Sequence, residues 1–206
     1  MSTPRPLHVA LACAAMGLAA ISGWCFAQPD SQTPEPPTEP VQDLPGPPHQ
    51  ALASLVGVWT STTTFTVPDA DEATAPDEQP PASEPGSARV ESIMEGRFIA
   101  IHESGTMMGE AFTSMKIIGY NNAASVYEST WLYTGSTATM RMRGTSQDDG
   151  RIVSLQAQYA SADQQNERFL VTMTTPSVDE FWITLTALLP DGTAGPALRT
   201  VYTRTH

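Results

Sequence analysis

The sequence predicts an all-β fold: an antiparallel barrel or sandwich of about ten strands, with one short helix before them. Three observations carry this. Short runs rich in β-branched and aromatic residues recur from Trp59 to Arg204. Turn signals built from Asn, Asp, Gly and Ser separate them at intervals of about 8 to 12 residues. Helical and strand patterns nowhere alternate, which rules out a doubly wound sheet. The clearest stretch is Phe112–Arg143, which reads as a three-stranded meander: Lys116–Tyr120 and Ser125–Tyr133 flank Asn121-Asn122-Ala123-Ala124, and Ala138–Arg143 follows Thr134-Gly135-Ser136.

In chain order, residues 1–27 read as a signal peptide. Arg5 precedes an apolar run from Leu7 to Ile21, and Cys25-Phe26-Ala27 supplies small residues before a cut after Ala27. The competing reading is an uncleaved anchor, for which the run is short and rich in Gly and Ala. A lipid-modified cysteine is disfavoured because Trp24 precedes Cys25. Cleavage removes both cysteines, Cys13 and Cys25. The expected mature chain is exported to the periplasm or beyond, begins at Gln28, has no membrane span and relies on its apolar core rather than on disulfides.

Residues 28–48 are Pro-, Thr- and acid-rich, with too little apolar surface to offset the entropy of ordering, and are expected to form a disordered linker. His49–Val56 places Leu52, Leu55 and Val56 on one helical face, and Gly57 ends it. Trp59–Val67 is a Thr-rich strand. Pro68–Gly86 carries five prolines and six acids, which marks it as a disordered acidic insertion rather than a lid with something to pack. Further strands follow at Ala88–Met94 and Arg97–Ser104. Thr106–Glu110 reads as a linker into the meander. Arg151–Tyr159, Arg168–Thr174, Glu180–Leu189 and Leu198–Arg204 complete the set.

The formal charge is −12, but ten of the 22 acids lie between Gln28 and Gly86, where there is no Lys or Arg. The remainder is nearly balanced and offers no basic patch, so a nucleic-acid partner is not expected.

Several motifs recur together: Gly57-x-Trp59 after the helix, Glu95-Gly96-Arg97-Phe98, Gly119-Tyr120-Asn121, Tyr127-x-Ser129-Thr130-Trp131, Met140-Arg141-Met142-Arg143-Gly144-Thr145, and the closing Tyr202-Thr203-Arg204. In these the chain resembles, from His49 to its C-terminus, a bacterial family of secreted domains of unknown function (DUF1579-like). The resemblance implies an up-and-down lipocalin-like β-barrel over residues 49–206 and no residue roles. The acidic insertion at 68–86 departs from the compact first hairpin of that pattern. Gly57-x-Trp59 is also similar to the opening of lipocalins and fatty-acid-binding proteins. That likeness implies that Trp59 plugs one barrel end under a basic residue of the last strand, here Arg204, with Arg199 as the fallback.

Strand parity sorts the meander into two faces. Tyr127, Ser129, Trp131 and Tyr133 share one face, and either short turn at Thr134–Ser136 brings Met140 and Met142 beside Trp131. This face is the more apolar and is expected inside. Glu128 then meets Arg141 or Arg143 outside as an exposed ion pair. Trp131, Met140, Met142, Phe169 and Trp182 are the candidate ligand-lining residues. His102 shares a face with Phe98 and Ala100 and is expected to be a satisfied interior or rim residue, since it has no clustered ligands for a metal site. No Gly-x-Ser-x-Gly elbow is present, and the paired acids Asp148-Asp149 and Asp179-Glu180 fall at turns and strand starts. The expectation is a non-enzyme without a cofactor. Either the barrel holds a small hydrophobic or amphipathic molecule, or it is filled and acts through its outer surface.

Overall fold

The computed structural model describes residues 43–66, 83–107, 109–160 and 166–206. The expected signal peptide and most of the 28–48 and 68–86 segments lie outside the described residues. The one helix, α1 (Pro47–Ala53), precedes ten strands. They are β1 (Gly57–Thr66), β2 (Glu84–Ile93), β3 (Phe98–Met107), β4 (Glu110–Asn121), β5 (Val126–Tyr133), β6 (Met140–Gln147), β7 (Ile152–Ala160), β8 (Asn166–Thr174), β9 (Glu180–Leu188) and β10 (Ala194–Arg204). Each strand pairs antiparallel with its sequence neighbours, and β1 closes the barrel on β10. Closure leaves no strand edge unpaired. No helix among the described residues is long and apolar enough to cross a membrane.

Several boundaries differ from the sequence reading. The helix starts two residues early because Pro47 and Pro48 occupy its first positions, where their missing N–H groups cost nothing and their fixed φ suits a helix. Glu84-Pro85-Gly86, assigned to the insertion, belongs to β2. Thr106–Glu110 is no linker: Met107 pairs with Glu110, so β3 and β4 run on to a tight turn. Gly86 pairs with Gly105, and a Cβ on Gly105 would sit 3.0 Å from the Gly86 Cα; only glycines permit that approach. The β5–β6 connection is wider than a two-residue turn, because pairing stops at Trp131 and Met140. In β10 a register shift between Ala194 and Ala197 accommodates Pro196, which has no N–H for the ladder.

Inward positions alternate along the strands, although Ala100 is also buried, between Ile99 and Ile101. They include Trp59, Ser61 and Thr63 on β1, Ile99, Ile101 and Glu103 on β3, Tyr127 and Ser129 on β5, Met140 and Met142 on β6, Val153, Leu155 and Ala157 on β7, and Phe181 and Ile183 on β9. His102 therefore faces outward, against the sequence reading, because Ile99, Ile101 and Glu103 hold the interior of that strand.

One barrel end is plugged by α1 and Trp59. Leu52, Leu55 and Trp59 are all within 2 % of full burial. The last carbonyls of α1 are taken up locally, by Ser54 N and Oγ, Leu55 N and Val56 N. Two side chains then hold the turn that follows, Ser54–Val56. The Trp59 indole donates to Leu55 O at 2.9 Å. Arg204 donates from Nη2 to Ser54 O and from Nη1 to Val56 O, each at 2.9 Å. Its Nε donates to Val178 O at 2.9 Å, and its guanidinium lies 4.2 Å from the Trp59 ring centroid. Gly57, at φ 151°, is required here, since a Cβ would collide with the Arg204 guanidinium. The fallback residue Arg199 instead stacks on Trp182 on the outer surface. At the other end of α1, His49 Nδ1 accepts from Gly46 N, so its Nε2–H donates to Tyr120 O, both at 3.0 Å. The helix is thereby tied to β4.

Trp59→Ala is expected to cost about 3–5 kcal/mol, because a wholly buried indole is removed. Arg204→Ala should cost less. In a denaturation double-mutant cycle the two losses should couple by about 0.5–2 kcal/mol; strictly additive losses would reject the stacked contact.

Candidate functional site

The barrel interior has two unlike walls. β6 to β9 present Met142, Leu155, Val171, Met173, Ile183 and Leu185, a continuous apolar surface. Opposite, β1, β3, β4 and β10 present Ser61, Thr63, Glu103, Ser114, Lys116, Thr200 and Tyr202, all buried. Antiparallel register assembles this polar wall. Thr63 faces Thr200 across β1–β10, and their hydroxyls are 3.0 Å apart. Ser61 faces Tyr202 on the same pair. Glu103 faces Ser114 across β3–β4, with Lys116 one inward step further along.

Glu103 and Lys116 form a buried ion pair, Nζ to Oε2 at 2.6 Å, with side chains 3 % and 9 % exposed respectively. Ser114 Oγ donates to the same carboxylate oxygen at 3.2 Å, and Lys116 Nζ to Ser114 Oγ at 3.4 Å. The ammonium also lies 4.9 Å from the centre of the Trp131 ring. Two charges out of water are tolerated only when paired and hydrogen-bonded. Each partner here explains the other's burial.

Two polar atoms of the interior remain unsatisfied. Trp131 Nε1 and the Tyr202 hydroxyl are buried with no hydrogen-bond partner among the described residues. Glu103 and Thr200 are near enough to the Tyr202 hydroxyl to bear on its ionisation, yet neither makes a hydrogen bond of sound geometry with it. Burial first, and the Glu103 charge second, hold the Tyr202 phenol well above its usual ionisation range. Below the ring of this residue, Phe181 stacks on it at 4.3 Å and 7°, and Trp59 meets Phe181 edge-on at 4.7 Å. This aromatic stack joins the closed end to the polar wall.

A chamber lies between the two walls. Its volume is about 40 Å³, room for roughly three waters. It is lined by Thr63, Glu103, Lys116, Thr200, Tyr202 and Trp131 on one side and by the apolar residues of β6–β9 on the other. Ile118 and Ser129 also line it, and Met107, Phe112 and Leu198, half-buried at the end away from α1, complete the lining. The chamber falls well short of the several hundred Å³ that a drug-sized ligand fills.

Of the five candidate residues, Trp131 and Met142 line the chamber. Met140 is buried beside them, paired with Trp131, but does not reach the lining. Phe169 points inward and packs on the core without lining the chamber. Trp182 lies on the outer face: Phe181, Ile183 and Leu185 take the inward positions of β9, and Arg199 covers the indole from β10 at 4.5 Å. The Glu128–Arg143 pair is exposed, at 3.6 Å. Sequence reasoning missed Glu103, Lys116 and Tyr202. The one available signal was a Glu and a Lys on successive strands at positions that a tight hairpin brings together. No group of three or more His, Cys, Asp or Glu among the described residues could hold a metal ion.

This architecture defines a class: a closed ten-stranded antiparallel barrel with one plugged end and a small mixed-polarity chamber. The chain belongs to the family described as "Protein of unknown function (DUF1579)", whose profile matches residues 44–204. Its barrel is similar to that of Rv2717c from M. tuberculosis, with 14 % identity, a TM-score of 0.55, and coverage of 78 % of this chain and 99 % of that one. At that identity the likeness shows the fold alone. The S-type phycobiliprotein lyase CPES from Guillardia theta matches more distantly, at 9 % identity and a TM-score of 0.46 over 76 % of this chain and 92 % of that one. No curated protein matches the chain.

Lys116→Met is expected to cost about 3–5 kcal/mol by stranding the Glu103 carboxylate. The double variant Glu103→Leu/Lys116→Met should recover most of that loss in urea unfolding; a double variant as unstable as the sum of its parts would contradict the pairing. Tyr202 gives a pH signature. Its folded ionisation lies above the unfolded value near 10, so its contribution to stability is intact below pH 10 and is lost as pH rises through the folded value. Tyr202→Phe should therefore flatten the alkaline loss of stability above pH 10. An unchanged alkaline profile would show that other groups cause the loss.

Proposed function

We propose that this domain is an exported, non-enzymatic binding protein that holds a small apolar or amphipathic molecule inside its barrel. The observation that carries this reading is the chamber with one apolar and one hydrogen-bonding wall, lined among others by Trp131 and Tyr202, each of which holds an unsatisfied polar atom. An unsatisfied buried donor costs about 1–3 kcal/mol, and a guest that accepts its hydrogen bond removes that cost. Export rests on the signal-peptide pattern of residues 1–27. The small volume favours a compact guest, or a larger one for which Met107 and Met142 give way, since methionine adapts its shape readily.

A second reading draws on the same volume. A barrel with space for only about three waters is close to filled, and such a domain would act through its outer surface. Native mass spectrometry of the exported protein, together with a small hydrophobic probe, separates the two. Met142→Trp should abolish probe binding while costing at most about 1–3 kcal/mol through overpacking. No co-purified molecule and no probe binding to the unaltered protein would establish the filled barrel.

A further inference from the structure

Resting on the reading that the chamber takes a ligand, we propose that it selects a neutral hydrogen-bonding head, a hydroxyl or carbonyl, and rejects carboxylates and amines. The charges within the chamber are already spent on each other. Glu103 Oε2 is held at 2.6 Å by Lys116 and at 3.2 Å by Ser114. A carboxylate entering here would lie against Glu103 with no free cation to meet it, because Lys116 is engaged by Glu103 and Ser114 and packs on the Trp131 ring. An ammonium would lie against Lys116, with the only carboxylate that lines the chamber among the described residues already occupied. Either would be a buried charge without a counterion.

The unfilled valences are of another kind. Trp131 Nε1 can only donate, and it has no acceptor among the described residues. The Tyr202 hydroxyl, wholly buried, can donate or accept, and it too has no partner. Both residues line the same chamber. A hydroxyl or carbonyl oxygen accepts from them without bringing a charge. The apolar body attached to it then lies on the Met142, Leu155 and Val171 wall. The two sides of the chamber thus specify the two ends of the molecule.

The test is calorimetric titration of the mature protein with four ring probes of similar size at neutral pH: phenol, toluene, benzoate and benzylamine. Phenol should bind at least about a hundredfold more tightly than benzoate or benzylamine, the penalty of burying an unpaired charge. Tyr202→Phe, which keeps the ring stacked on Phe181, should weaken phenol by about three- to tenfold and leave toluene unchanged, the worth of one hydrogen bond. Trp131→Phe should behave likewise and serves if the first variant is unstable. If toluene binds but both variants shift phenol and toluene alike, the proposed head selection is wrong while the chamber stands as a ligand site. Benzoate or benzylamine binding as tightly as phenol also overturns it. If none of the four binds, the ligand reading itself fails and the head selection with it.

Discussion

Arg204 holds the closed end of the barrel by satisfying three demands with one planar group. Two of its nitrogens bind the Ser54 and Val56 carbonyls of the turn after α1, its Nε binds Val178 O in the turn before β9, and its face covers the Trp59 indole. A lysine could not do this, because an ammonium has neither the fork nor the flat face. Without the contact, the Ser54–Val56 turn would be untied from β10, and Trp59 would lack the partner above its ring. Everything deeper depends on that plug. Phe181 packs edge-on to Trp59, Tyr202 stacks on Phe181, and the Tyr202 hydroxyl is then carried to the polar wall at a fixed height. The position of an unsatisfied hydroxyl in the chamber is thus set by a capping interaction at the barrel's end.

The polar wall is costly, and its placement is informative. Serine, threonine, glutamate and lysine on the inner face give up burial energy that leucine or valine would supply, at about 25 cal/mol per Å² of apolar area. Replacing a buried ion pair by apolar residues is often neutral or stabilising, so stability alone does not explain Glu103 and Lys116. Their positions match a demand for hydrogen bonding within an otherwise apolar barrel. The remaining interior, from Met142 round to Leu185, is ordinary core.

What the sequence reveals depends on how local the determining contact is. The face shared by Trp131, Met140 and Met142 was legible, as was the exposed Glu128–Arg143 pair, because the connection between their strands is short and parity carries across it. Trp59 and Arg204 lie far apart in sequence but are marked by a motif at each end of the domain. Glu103 was not legible. In isolation a charged residue beside His102 reads as outward, and only the β3–β4 register, which brings Lys116 within reach, reverses that preference. Trp182 failed for a different reason: β9 carries large apolar residues on both faces, so its hydrophobicity does not say which side is inside. Strand ends at the rim were read short because Gly, Pro, Glu and Met lower local β preference, while the neighbouring ladders continue through them.

The plugged end also fixes the direction of access. With Leu52, Leu55 and Trp59 sealing the α1 end and every strand paired to its neighbours, neither the sides nor that end offers a route to the chamber. What remains is the opposite end, where Met107, Phe112 and Leu198 are only half-buried. Two of these are flexible aliphatic side chains and one is an aromatic ring, so on the proposed ligand reading a guest would pass there by side-chain rotation rather than by strand separation.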